Sequence, residues 1–353
     1  MKETPRNLWR LLALLFAFTL LAAACGSDDD GDSGSDDAAD EADGGSDDAA
    51  DDAEAGDADD GGDTADGGEA AAFDFSGVDI TVGSKDFTEQ IVMGEILVQA
   101  LEEYGATVNN QVNLGGTVVN REALLAGEID TYWEYNGTGW TVHLEQEEPS
   151  FDAETLTADV AEKDLADNGI QWIGRSPFND TYGFAASPAL AEENGEFDLQ
   201  AMADYLAANP DAVLCLETEF PNRPDGLILF EEATGYTVPE SQVNILETGV
   251  IYTETGDGNC DFGEIFTTDG RIASLGLSLV EDPGVFIIYN LSLTMPDELY
   301  QANQADWDAL VEAILAPLDE ETMTELNRRV SDGEDAAAVA ADYLGTIGLV
   351  MEG

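Results

Sequence analysis

Residues 78–105 read "VDITVGSKDFTEQIVMGEILVQALEEYG", and two periodicities meet inside them. "VDITVGS" alternates apolar and polar residues as a half-buried strand does. Asp86 and Glu89 then stand at the spacing of a capping box, which predicts a helix start. Ile91, Ile96, Leu97, Ala100, Leu101 and Tyr104 fall near one helical face, and Gly105 ends the run. A second strand is expected around residues 110–114, a short helix through "REALLAGE" and a third strand at "IDTYWEY". A β-α-β-α-β unit of this kind favours a parallel sheet with helices on its faces.

The alternation of elements continues. "GIQWIG", "TYGFAAS", "DAVLCL" and "VNILE" read as strands, and "DLQAMADYLAAN" and "DGLILFEEATG" as helices between them. The last third is helical, in "DWDALVEAILAPL", "DEETMTELNRRVSD" and "DAAAVAADYLGTIG". A region this long, residues 73–353, exceeds one comfortable core. The expected fold class is α/β in two lobes, with ligand bound in the cleft between them.

The N-terminus is of another kind. Lys2, Arg6 and Arg10 precede an apolar run from Leu11 to Leu21, which reads as an export signal. The run is too short for a lasting transmembrane helix. "LAAAC" resembles a bacterial lipobox, which makes Cys25 the lipidated first residue of the mature chain. Leu21 stands one place further from the cysteine than in that motif, so plain secretion is the alternative. Residues 26–72 carry 20 acidic side chains, no Lys or Arg and no large apolar group. Such a segment buries no core, and self-repulsion extends it into a stalk.

Of 76 acidic residues in the chain, 55 lie in residues 73–353 against 8 basic ones. That surface excludes nucleic acid, which needs clustered Lys and Arg. It suits a salty medium, where charges are screened over short distances. In an exported chain Cys215 and Cys260 read as a disulfide rather than a catalytic or metal pair. His143 is the only histidine, so neither a zinc cluster nor a Ser-His or Cys-His dyad with a choice of base is available. A carboxylate-dependent hydrolase stays open as a remote alternative, since so many acids single out no pair.

Between these readings sits "DTYWEYNGT", residues 130–138, with three aromatics in four positions. Together with "VGSKDFTEQIVMGEILVQAL", "PFNDTYGFAAS", "NRPDGL", "FTTDGRIASLGLSLVEDPGVFIIYN" and "LNRRVSDGEDAAAVAADYLGTIGL", it resembles, in order and over nearly all of 78–350, the substrate-binding proteins of osmoprotectant ABC transporters. The resemblance implies a type II periplasmic-binding fold whose hinged lobes close on ligand. One lobe would hold about 78–180 and 287–353, the other about 181–286. It implies a monomer, lipid-anchored to the outer face of the cell membrane, that serves a permease and its ATPase. No cofactor, metal or catalysis is expected.

The ligands of that family are quaternary ammonium compounds such as glycine betaine, choline and carnitine. A trimethylammonium group has charge but no N–H to donate, so aromatic faces hold it through their quadrupoles. By resemblance, that cage comprises Tyr135, Tyr182, Phe266 and Tyr289. Phe266 keeps a ring where relatives often have tyrosine, and Ile287 and Ile288 stand where they commonly have two prolines. Thr138 and the amides after Gly137, if a helix starts there, would donate to a ligand carboxylate. Gln90 matches a family position near the ligand, with Ser84 and Lys85 in the loop before it. Alternation puts Trp133 on the face of Tyr135, as a weaker candidate. Trp140 and Trp172 read as packing, and Arg175 and Arg223 as ion pairs or ligand contacts. A binding protein of the same fold for an amino acid or polyamine is the nearer alternative.

Overall fold

The computed structural model describes residues 73–349. The expected export signal, Cys25 and the acidic stretch 26–72 lie outside them. The chain runs through β1 (Asp79–Gly83), α1 (Thr88–Glu103), β2 (Thr107–Gln111), α2 (Thr117–Ala126) and β3 (Tyr132–Tyr135). A helical turn α3 (Asn136–Thr138) passes into one π-helical turn, Gly139–His143. Then follow α4 (Ala153–Asn168), β4 (Ile170–Ile173), β5 (Tyr182–Ala186), α5 (Pro188–Asn194), α6 (Leu199–Ala208), β6 (Leu214–Leu216) and α7 (Leu227–Thr234). The remainder is β7 (Val243–Ile245), α8 (Thr248–Gly256), β8 (Phe262–Phe266), α9 (Arg271–Ser274), β9 (Ser278–Leu279), β10 (Leu291–Pro296), α10 (Asp297–Ala302), α11 (Gln304–Leu315), α12 (Glu320–Ser331) and α13 (Ala336–Thr346).

The strands sort into two groups. β1 and β2 pair in parallel, and β3, β10 and β4 form an antiparallel sheet with β10 in the middle. The five strands between residues 182 and 279 form a separate mixed sheet in the order β7-β6-β8-β5-β9. The β-α-β-α-β unit expected at the start is therefore interrupted. β1 bonds to residues 130 and 131 just before β3, with a parallel bridge between Val82 and Thr131, while the ladder partner of β3 itself is β10. Register explains the preference, because Leu291 to Thr294 align with Tyr135 to Tyr132 and bury both faces of β3.

The start of α1 also differs from the sequence reading. Its N-cap is Phe87 and no side chain caps it. Glu89 does not fold back on the helix, because its carboxylate is taken up in the interior. The second strand begins earlier than expected, at Thr107. α1 packs against α12 and α13, so the C-terminal helices return to the N-terminal sheets. Cys215 on β6 and Cys260 just before β8 are joined by a disulfide within the five-stranded sheet. Among the described residues no helix is long and apolar enough to cross a membrane.

Candidate functional site

Strand ends from both sheet groups converge on one cavity of about 730 Å³. Tyr135 ends β3 and is followed at once by helix, which Asn136 and Gly137 open. Gly137 is required there: a Cβ would lie 2.7 Å from the Ile288 carbonyl and 2.8 Å from the Tyr289 ring. Tyr182 opens β5 directly opposite Phe266, which closes β8. Tyr289 precedes β10 and needs no proline to aim it. The Asn179 side chain accepts from its amide at 2.6 Å, and its hydroxyl donates to Asp225 at 2.8 Å.

The four rings touch. Tyr182 lies 5.1 Å from Phe266 and 5.4 Å from Tyr289 between centroids, the latter edge-on, and Tyr289 lies 6.5 Å from Tyr135. A fifth ring, Phe87, stacks on Phe266 at 5.0 Å and on Tyr135 at 6.2 Å. All five line the cavity. Such faces, perpendicular and parallel to one another, present several quadrupoles to one volume.

Hydroxyl and cationic donors line this space or stand just behind its wall. Thr138 and Lys85 line the cavity. The Arg223 guanidinium donates to Thr138 Oγ1 at 3.2 Å and Thr117 Oγ1 at 3.1 Å, and sits 5.4 Å from the Tyr182 ring. Asp225 fixes it through two bonds of 2.8 Å. Lys85 Nζ pairs with Glu134 at 2.6 Å and lies 5.2 Å from the Tyr135 ring. Burial raises the Glu134 pKa, but Lys85 and then His143 pull it far below the usual carboxylate range. Asp86, Asp180, Glu217, Glu219 and Glu247 add an acidic lining. Glu219 reaches across to accept from the amide of Thr117 at 3.1 Å, at the start of α2, whose own N-cap is Gly116 with no side chain to offer.

This geometry has a counterpart among known proteins. The family model for the substrate-binding domain of ABC-type glycine betaine transport systems matches residues 78–346. The chain belongs to that family. It is 32% identical over 277 residues to the glycine betaine-binding protein YehZ of Escherichia coli, covering 75% of this chain and 89% of that protein. A glycine-betaine-binding protein of Pseudomonas aeruginosa is 30% identical, covering 75% and 86%. A solved glycine betaine/carnitine/choline ABC transporter structure shares the fold, with a TM-score of 0.61 at 21% identity over 76% of this chain and 99% of that one. The fold is thus the two-lobed type II arrangement of extracytoplasmic solute receptors.

Within this binding domain the expected residues divide. Tyr135, Tyr182, Phe266, Tyr289, Thr138 and Lys85 lie on the cavity wall. Trp133 does not: its indole N–H donates to the Met93 carbonyl at 2.9 Å in the core. Because β3 is buried on both faces, sharing a face with Tyr135 does not expose a residue to the cleft. Gln90 is fully buried behind the wall, its Oε1 accepting from the Lys85 amide at 3.5 Å. The Ser84 hydroxyl accepts from the Asn113 amide at 2.8 Å, and so braces the loop. Trp172 packs with its N–H on Asp164, and Arg175 is exposed. Phe87 and Glu89 were missed as site candidates. Phe87 carried a faint signal, an aromatic beside Lys85 at a helix start.

Proposed function

We propose that this chain captures a quaternary ammonium osmolyte, of the glycine betaine, choline or carnitine class, and hands it to a membrane permease driven by its ATPase. The observation that carries the reading is the ring set Tyr135, Tyr182, Phe266 and Tyr289 around one cavity, with Lys85 and Thr138 on the same wall and Arg223 behind Thr138. The rings attract the trimethylammonium group, each desolvated contact contributing up to about 2 kcal/mol. The donors meet a carboxylate or hydroxyl at the ligand's other end. The lobes divide near residues 180 and 287, and ligand bridges them. Cys25 carries the lipid that holds the receptor, as a monomer, outside the cell, and this chain binds and releases the solute without covalent chemistry of its own.

Calorimetric titration with glycine betaine, choline, carnitine and lysine, at low and high salt, tests this. Saturable binding of a methylated ligand near the micromolar range, about 8 kcal/mol, with none for lysine, is expected. Preference for lysine or putrescine would instead give the acidic lining the leading role and assign the site to an amino acid or polyamine.

A further inference from the structure

The Tyr135 hydroxyl donates to Glu89 Oε1 at 2.8 Å. The other oxygen of that carboxyl, Oε2, takes bonds from Thr268 Oγ1 at 2.7 Å and Asn327 Nδ2 at 3.0 Å. Thr268 Oγ1 also lies 2.6 Å from Asp180 Oδ1. A hydroxyl has one hydrogen to give, yet this one stands within bonding distance of two carboxyl oxygens. One of the two acids must therefore donate to it. Glu89 already has Tyr135 and Asn327 as side-chain donors, whereas Asp180 has only the Thr268 backbone amide besides that hydroxyl. The consistent assignment puts the proton on Asp180, which gives to Thr268, which gives to an ionised Glu89.

Burial and the neighbouring Glu89 charge push Asp180 well above the usual carboxylate range. Burial leaves Glu89 raised as well, but less far than Asp180, because Thr268, Asn327, Tyr135 and Asp180 act against it, so Asp180 is the acid that holds its proton first. The other charges near the pair are Asp269, which raises Asp180 further, and Arg271, which is engaged with Asp269. Among the described residues no Lys, Arg or His pairs with Glu89. A buried anion with no cation of its own is costly unless something else supplies the charge. It stands directly behind the Tyr135 ring, which lines the cavity and whose one cationic neighbour among the described residues, Lys85 at 5.2 Å from the centroid, is neutralised by Glu134.

We propose that Glu89 is the counter-charge of the cage, a carboxylate that draws on the Tyr135 hydroxyl, enriches that ring in electron density, and so favours a cation over a neutral ligand of the same shape. A charge-assisted bond from a phenol polarises the donor, and the face of a tyrosine ring attracts cations through its quadrupole. Glu89 acts through Tyr135 and has no need to touch the ligand. The inference rests on the proposed function, which supplies the cation.

The test compares choline with 3,3-dimethylbutan-1-ol, its uncharged isostere, in the purified chain and in Glu89→Gln and Tyr135→Phe. Choline is titrated directly, and the alcohol is measured by its displacement of choline. Both variants are expected to weaken choline about tenfold while changing the alcohol less than about threefold. Should Glu89→Gln disturb packing, Tyr135→Phe keeps the ring and leaves Glu89 its Thr268 and Asn327 donors. Equal losses for both ligands, or no loss for choline in either variant, would overturn the proposal. An unaltered chain that ignores choline, glycine betaine and carnitine would instead overturn the proposed function itself.

Discussion

Glu89 and Glu134 both touch Tyr135, one at its hydroxyl and the other at its amide. Both are almost wholly buried, but their surroundings are opposite. Glu134 is met by the Lys85 ammonium, His143 and the Tyr132 hydroxyl. Glu89 is met by two hydroxyls and an amide. The first charge is compensated inside the protein and serves the fold; the second is left for an incoming cation. The same side chain thus does structural or recognition work according to what neutralises it.

The sharpest way to break this contrast is Glu134→Gln. It leaves Lys85 buried without its partner, and a loss of about 3–5 kcal/mol is expected, read from denaturant or thermal unfolding. Adding an apolar replacement of Lys85 removes the stranded charge and is expected to recover much of that stability. Next in size, Tyr135→Ala and Tyr182→Ala are each expected to weaken glycine betaine or choline at least about tenfold in calorimetry. Unchanged affinity in both would remove the cage.

The smallest effect concerns pH. Asp180 has its pKa raised in the folded state by burial and Glu89, so the folded state prefers it protonated. The stability this confers is complete below the ordinary carboxylate range and is lost as pH rises through the raised value. Melting temperature is expected to fall as pH rises from the ordinary carboxylate range toward the raised Asp180 value in a scan from about pH 4 to 9, and Asp180→Asn to flatten that slope. High salt separates this from general repulsion among surface carboxylates.

How much of this was legible in the sequence follows from the range of the contacts involved. Tyr135, Tyr182, Phe266 and Tyr289 stand in ordered local motifs, so a family resemblance could place them without knowing how their rings meet. Glu89 stood three residues after Asp86 and read as a capping residue. Its actual partners, Thr268 and Asn327, are 179 and 238 positions away, beyond any local pattern. Trp133 failed for the complementary reason: alternation assigns a face, but in β3 both faces are interior. The strand-helix order of residues 79–135 was readable, whereas its sheet was not, because β10 comes more than 150 residues later.

The contact between Glu219 and the first amide of α2 bears on how the receptor rests between captures. Any motion that parts the two sheet groups takes the acceptor away from Thr117 and leaves a helix end whose N-cap is glycine. Caps of this kind are worth about 0.5–2 kcal/mol, a several-fold shift in population. The empty receptor then carries its own bias toward the shut arrangement, ligand needs to supply only the remainder, and release into the permease has to overcome a grip that the solute did not create.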